Sequence, residues 1–126
     1  SSDVCSSDLV VIDGDAILVI TLQVNRTREQ HAVHVNDEGF LTEFKEWTPE
    51  IASVLAENIG IHMTDEHWKL INWLRSDFES QGETATTRRV QNAGGFAVKQ
   101  QFEMFPKKPG KKMSYIAGLP KPHGCV

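Results

Sequence analysis

Ile116-Ala117-Gly118-Leu119-Pro120-Lys121-Pro122-His123-Gly124-Cys125-Val126 closes the chain, and it separates a part that folds from a part that cannot join a helix or a central strand. Pro120 and Pro122 lack an amide donor and fix φ. Each also drives the residue before it, Leu119 and Lys121, into extended geometry. Gly118 and Gly124 bracket them with backbone freedom. The pattern predicts a semi-stiff arm with a flexible root and a flexible tip. From Gly118 to Cys125 it spans roughly 25 Å at about 3.3 Å per residue. Many proline- and glycine-rich termini are only tails. This one ends in a thiol, and a thiol on such an arm can enter another protein's active site.

The residues around the arm carry a resemblance. Phe105-Pro106, Pro109, Lys111, Ile116 to Pro122 and Gly124-Cys125-Val126 resemble the C-terminal signature of the DsrC/TusE family of sulfur-relay proteins. Glu38-Gly39-Phe40-Leu41, Trp47, Ala56 and Glu66-His67-Trp68 resemble its N-terminal half. The resemblance runs from about Ala32 to Val126. It implies that Cys125 takes sulfur from a donor as a persulfide and presents it to an acceptor. Such a protein is a sulfurtransferase-class carrier, a protein co-substrate with no cofactor. In the two-cysteine members a second arm cysteine precedes the terminal one, and Ser114 occupies that position here. The chain therefore resembles the single-cysteine, TusE-like branch. That branch implies relay toward tRNA 2-thiouridine, from a TusBCD- or DsrEFH-type donor complex to an MnmA-type tRNA thiouridylase. Direct contact with tRNA is not required. Other single-cysteine relatives belong to sulfur-oxidising relays, and a carrier in sulfur oxidation or in sulfite-reductase-linked metabolism is the alternative.

A free cysteine has a pKa near 8.5. Protonated His123 and Lys121 favour the thiolate, whereas the Val126 carboxylate opposes it. In water these effects are small. Strong activation of the thiol is therefore expected only in a partner's site. Lys111, Lys112, Lys121 and His123 are candidate docking residues. Gly118, Pro120, Pro122 and Gly124 shape the arm.

Composition sets the frame. The chain has 126 residues, 40% of them hydrophobic and 24% charged, which suits one small domain with a core. No apolar run approaches the ~20 residues of a membrane span. Asp13 and Asp15 interrupt the apolar stretch from Val10 to Val24, so no secretory signal is read there. The 2 cysteines, Cys5 and Cys125, lie at opposite ends and make no disulfide framework. A reducing cytoplasm is the expected setting. The net charge of −4 is unevenly spread. Residues 1–83 hold 5 Lys and Arg against 16 Asp and Glu, a balance of −11, and residues 84–126 hold 8 against 1, a balance of +7. A basic thiol-bearing end suits an acidic docking surface, a nucleic acid, or the acidic remainder of its own chain.

The expected fold is mainly α within the α+β class, a small helical bundle with an N-terminal β-hairpin and a flexible C-terminal arm. Residues 1–9 repeat Ser-Asp, resemble adapter-derived sequence and are expected to be a non-native or disordered lead. Residues 10–113 form the domain and residues 114–126 the arm. Val10-Val11-Ile12 and Ile17 to Ile20 flank Asp13-Gly14, a hairpin signal. Asn25 to Gln30 reads as a polar loop. His31 to Val35 alternates as a short strand, and its two histidines read as exposed rather than metal-binding. Thr48-Pro49 starts one helix, with Ile51, Val54 and Leu55 inward and Gly60 as its stop. Thr64-Asp65-Glu66 starts another, with a stripe of Trp68, Ile71, Leu74 and Phe78 that Leu70 and Trp73 widen. His67 reads as a capping or packing residue, and Gly82 ends the helix. Arg88-Arg89-Val90 starts a short helix that Gly94-Gly95 interrupts. Phe96 to Phe105 resumes the helical pattern, and Lys107 to Lys112 reads as a basic turn.

A non-catalytic regulatory or nucleic-acid-binding module is the competing class, since helices around a turn with Arg88-Arg89 loosely fit a helix-turn-helix. The Gly94-Gly95 break argues against a stable recognition helix. No metal-ligand spacing and no nucleotide-binding glycine loop occurs in the sequence.

Overall fold

The structure is a computed structural model that describes residues 6–24, 27–36 and 38–120. It joins a three-stranded antiparallel sheet to five helices. The strands are β1 (Ser6–Ile12), β2 (Asp15–Val24) and β3 (Thr27–His34), in the order β1-β2-β3. A 3-10 turn at Phe44–Glu46 leads to α1 (Pro49–Asn58), α2 (Asp65–Gln81), α3 (Thr87–Gly94), α4 (Val98–Met104) and α5 (Pro109–Ile116). The mixed, helix-rich class is the one the sequence implies.

The hairpin forms where Asp13-Gly14 allows it. Asp13 has φ 51° and Gly14 φ 82°. Positive φ at both central residues matches the right-handed twist of the flanking strands. The register sets Leu9 opposite Leu18 and Leu18 opposite Val33. Ile20 and Val33 are thereby buried against α1.

Two stretches of this region join the sheet beyond the expected hairpin. Ser6 to Leu9, assigned to the lead, pair with Leu18 to Thr21 of β2. The polar run before His31 is not wholly a loop, because β3 begins at Thr27. Arg28, Glu29 and Gln30 lie exposed on an edge strand, where backbone pairing to β2 holds them without apolar side chains.

Helix α1 starts as its sequence requires. The Thr48 hydroxyl accepts from the Ile51 amide at 3.2 Å, and Pro49 takes the first position. Ile51, Val54 and Leu55 face the sheet, while Ala52 and Ala56 face the helical cluster. In α2 the inward stripe is rotated from the expected one. Leu70, Ile71 and Leu74 are fully buried, His67 and Asp77 extend the line, and Trp68, Trp73 and Phe78 flank it half-buried. His67 Nε2 donates to the Met104 carbonyl at 2.9 Å, and its Nδ1 accepts from the Thr64 amide at 3.3 Å. It thus caps α2 and ties that helix to the end of α4. Asp77 sits on the buried line because Arg89 of α3 meets it at 2.7 Å.

Gly95 ends α3 at φ 80°. Val98–Met104 resumes the helix, and Gln101 Nε2 donates to Thr87 and Phe96 carbonyls at 3.1 and 2.8 Å. The expected basic turn at Lys107 to Lys112 is largely helix. Lys107 and Lys108 take φ 59° and 25°, Pro109 then begins α5, and Met113 and Ile116 bury completely. The expected arm boundary at Ser114 accordingly falls inside α5. Among the described residues no helix is long and apolar enough to cross a membrane.

His34 Nδ1 lies 3.0 Å from Glu46 Oε2, and the His34 amide donates to Glu46 Oε1 at 2.7 Å. The Glu46 hydrogen bond raises the His34 pKa above its ordinary 6.5, with the Glu46 charge adding to it. A raised folded-state pKa gives stability that is present below the unfolded value and lost as pH rises through the folded one. Proton NMR titration should show the His34 pKa falling in Glu46→Gln, and an unchanged value would contradict the linkage.

Candidate functional site

The structure describes the arm up to Pro120. Cys125, Lys121, Pro122, His123 and Gly124 lie outside the described residues. The root, with Gly118 and Pro120, is described in full, and it is anchored.

Helix α5 ends in a left-handed turn at Gly118, φ 71°. The Gly118 amide donates to the Tyr115 carbonyl at 3.3 Å, and the Leu119 amide donates to Ser114 at 3.0 Å. These are the two crossed bonds of a Schellman motif. Its apolar partner Leu119 is fully buried. The remaining carbonyls of the helix end are taken by side chains from far along the chain. Trp47 Nε1 donates to the Ile116 carbonyl at 2.8 Å. Arg75 donates to the Ala117 carbonyl at 2.8 Å and, through its other terminal nitrogen, to Phe44 at 2.9 Å. The Thr84 hydroxyl donates to the Pro120 carbonyl at 2.7 Å.

The Arg75 guanidinium carbon stands 3.9 Å from the centre of the Phe44 ring and 4.2 Å from that of Trp47. It is a half-buried cation with aromatic faces for solvent. Burial lowers its pKa below the ordinary guanidinium value, against the raising effect of Glu79. It remains charged throughout the physiological range. The chain turns from buried at Leu119 to exposed at Pro120. The anchored root therefore takes up Gly118, which the sequence alone reads as the flexible start of the arm.

Gly118 fits because it has no side chain. A Cβ there would meet Trp47 Cδ1 at 2.4 Å. Ser114 is fully buried, and its hydroxyl donates to the Gly110 carbonyl at 2.7 Å. Lys111 and Lys112 lie apart from the root clamp, at a cavity of about 460 Å³ beside the first turn of α5.

The sequence reading named Trp47 only for its resemblance and missed Arg75 and Thr84 as anchors. A signal for Arg75 did exist. It stands four residues after Ile71 and next to Leu74, so helical spacing puts a cation on the edge of an apolar stripe.

A sequence model described as DsrC like protein matches residues 27–126. This chain belongs to the DsrC family. The gamma subunit of dissimilatory-type sulfite reductase from Nitratidesulfovibrio vulgaris is 36% identical over 101 residues, 79% of this chain and 96% of that protein. Sulfurtransferase TusE from Escherichia coli is 34% identical over 106 residues, 78% of this chain and 96% of TusE. The NMR structure of Allochromatium vinosum DsrC superposes with a TM-score of 0.64 at 31% identity, covering 96% of this chain and 100% of that one. The oxidized gamma subunit (DsrC) from Archaeoglobus fulgidus gives 0.63 at 32%, over 84% and 99%. The two named functions among these DsrC-family relatives, sulfite reductase subunit and sulfurtransferase, fall at nearly the same identity.

Two substitutions test the clamp. Gly118→Ala should destabilise the fold by at least about 2 kcal/mol, from left-handed backbone strain plus displacement of Trp47. Arg75→Met removes two charged hydrogen bonds and leaves carbonyls unpaired, which should cost about 2–4 kcal/mol. Urea unfolding midpoints measure both, and parent-like midpoints would show that the clamp contributes little.

Proposed function

We propose that this DsrC-family protein is a sulfur-relay carrier whose chemical residue is Cys125. The reading is carried by an anchored root: Thr84 ties down the chain at Pro120, and Cys125 stands five residues further along the sequence. Membership of the family and the sulfurtransferase among its relatives support it.

In the step proposed, the Cys125 thiolate attacks the terminal sulfur of a donor persulfide. A sulfur–sulfur bond forms at Cys125, the donor's bond breaks, and the electron pair leaves on the donor thiolate. The number of persulfides is conserved, so no external oxidant is needed. The carrier has only to offer an accessible sulfur and a defined approach. The acceptor's nucleophile or reductant completes the transfer in the acceptor's own site.

The finer assignment is to tRNA 2-thiouridine synthesis, with a TusBCD- or DsrEFH-type donor complex and an MnmA-type acceptor. The arm's single cysteine favours it. A trisulfide held between two arm thiols needs a second cysteine, and the Ser114 hydroxyl has no comparable redox range. The alternative, service to sulfite reduction or sulfur oxidation, is favoured by the similarity to the sulfite reductase gamma subunit.

Intact mass after reduction and exposure to a persulfide donor tests the carrier step. The parent should gain one sulfur atom and Cys125→Ser none. Equal gain in the variant, or no gain in the parent under conditions that load TusE, would overturn the assignment.

A further inference from the structure

The cavity beside α5 has a floor and a rim of opposite character. Phe40, Ile59 and Tyr115 form an apolar floor, with Phe40 and Tyr115 edge to face at 5.7 Å between ring centres. Lys107, Lys108, Lys111 and Lys112 form the rim, and Glu38 is the one carboxylate in the lining. Half of the 8 basic residues in 84–126 thus surround one hollow. Its volume, about 460 Å³, is many times the ~30 Å³ share of a water molecule. It falls within the range of ligand-sized pockets.

The rim is assembled at a cost. Lys107 and Lys108 both hold positive φ, a conformation that non-glycine residues keep only where the surroundings enforce it. Arg89 of the basic part pairs with Asp77 of the acidic part at 2.7 Å. Lys112 donates to the Pro106 carbonyl at 2.5 Å.

We propose that this hollow is a docking socket for an acidic protein surface that inserts one apolar side chain. The side chain packs on Phe40, Ile59 and Tyr115, while flanking carboxylates meet the lysines. Lysines are compact charges on flexible stems, without the planar fork that suits arginine to phosphate. Four of them around an apolar floor fit dispersed carboxylates around a hydrophobic anchor. Tyr115 lines the socket and its carbonyl belongs to the turn that fixes the arm's root. A partner seated there is held at the base of the arm. That this partner is the sulfur donor or acceptor rests on the carrier reading; the socket itself does not.

The test is a titration of full-length Cys125→Ser chain, followed by amide chemical shifts. The probe is an acidic pentapeptide with phenylalanine at its centre, capped at both ends. Saturable shifts centred on Phe40, Ile59 and Tyr115 are expected. A serine-centred analogue should bind roughly tenfold more weakly or worse, because the anchor's burial is lost. Binding should weaken with salt. It should fall in Lys107→Asn, Lys108→Asn, Lys111→Gln, where asparagine tolerates the left-handed backbone. The proposal is overturned if shifts do not localise to the socket, or if both peptides bind alike. It is equally overturned if an RNA oligonucleotide occupies the socket more tightly than the peptide, or if sedimentation shows a second copy filling it. No sulfur is involved, so a negative result leaves the persulfide-loading experiment unaffected, and the reverse also holds.

Discussion

The Arg75 guanidinium, flanked by Phe44 and Trp47 and bonded to the carbonyls of Phe44 and Ala117, is the interaction on which the placement of the arm depends. A helix end exposes carbonyls with no partner in the helix. Here the end of α5 is buried, so water cannot supply partners, and the Schellman turn satisfies only some of them. Trp47, Arg75 and Thr84 supply donors across sequence separations of 69, 42 and 36 residues. Each of these contacts exists only when the segment before α1, helix α2 and the lead into α3 are all in place. The arm's point of departure is thus fixed by the whole domain.

That constraint unifies a core that would otherwise fall into two parts. One cluster joins the sheet to α1, and another joins α2 to α5. Trp47 and Tyr115 pack against both. Trp47 also closes over Gly118, at a distance no other residue permits. The body holds the root through Pro120 with donors from Trp47, Arg75 and Thr84. The lysine-rimmed hollow stands beside the first turn of the same helix.

Local chemistry was legible from the residues. Asp13-Gly14 encoded a two-residue turn, Thr48-Pro49 and Thr64 encoded helix starts, and Gly82 and Gly95 encoded left-handed stops. Each depends on a side chain and its immediate backbone. Where the reading failed, the deciding contact was distant. Thr27 to Gln30 looked like loop because an edge strand needs backbone pairing on one side only, and its exposed residues can be polar. Lys107 to Lys112 looked like a turn because Pro109 and Gly110 hide a helix start that the burial of Met113 and Ile116 makes worthwhile. The α2 stripe was rotated because Asp77 is acceptable inside once Arg89 arrives from α3.

For the site the same division holds. Pro120 and Pro122 exclude helix, and Cys125 is the only thiol near them; the residue types decide both points without any fold. The sequence also places Arg75 on the flank of an apolar stripe. It cannot say which carbonyls that cation meets, because the answer depends on how α5 packs against α2 and on the aromatic rings that replace water around the charge. Nor can it show that Gly118, flexible in isolation, is held by an indole that leaves no room for a Cβ, or that four lysines close around one apolar hollow. Those facts belong to the packed molecule, where distance in space is set by burial of the core and not by position along the chain.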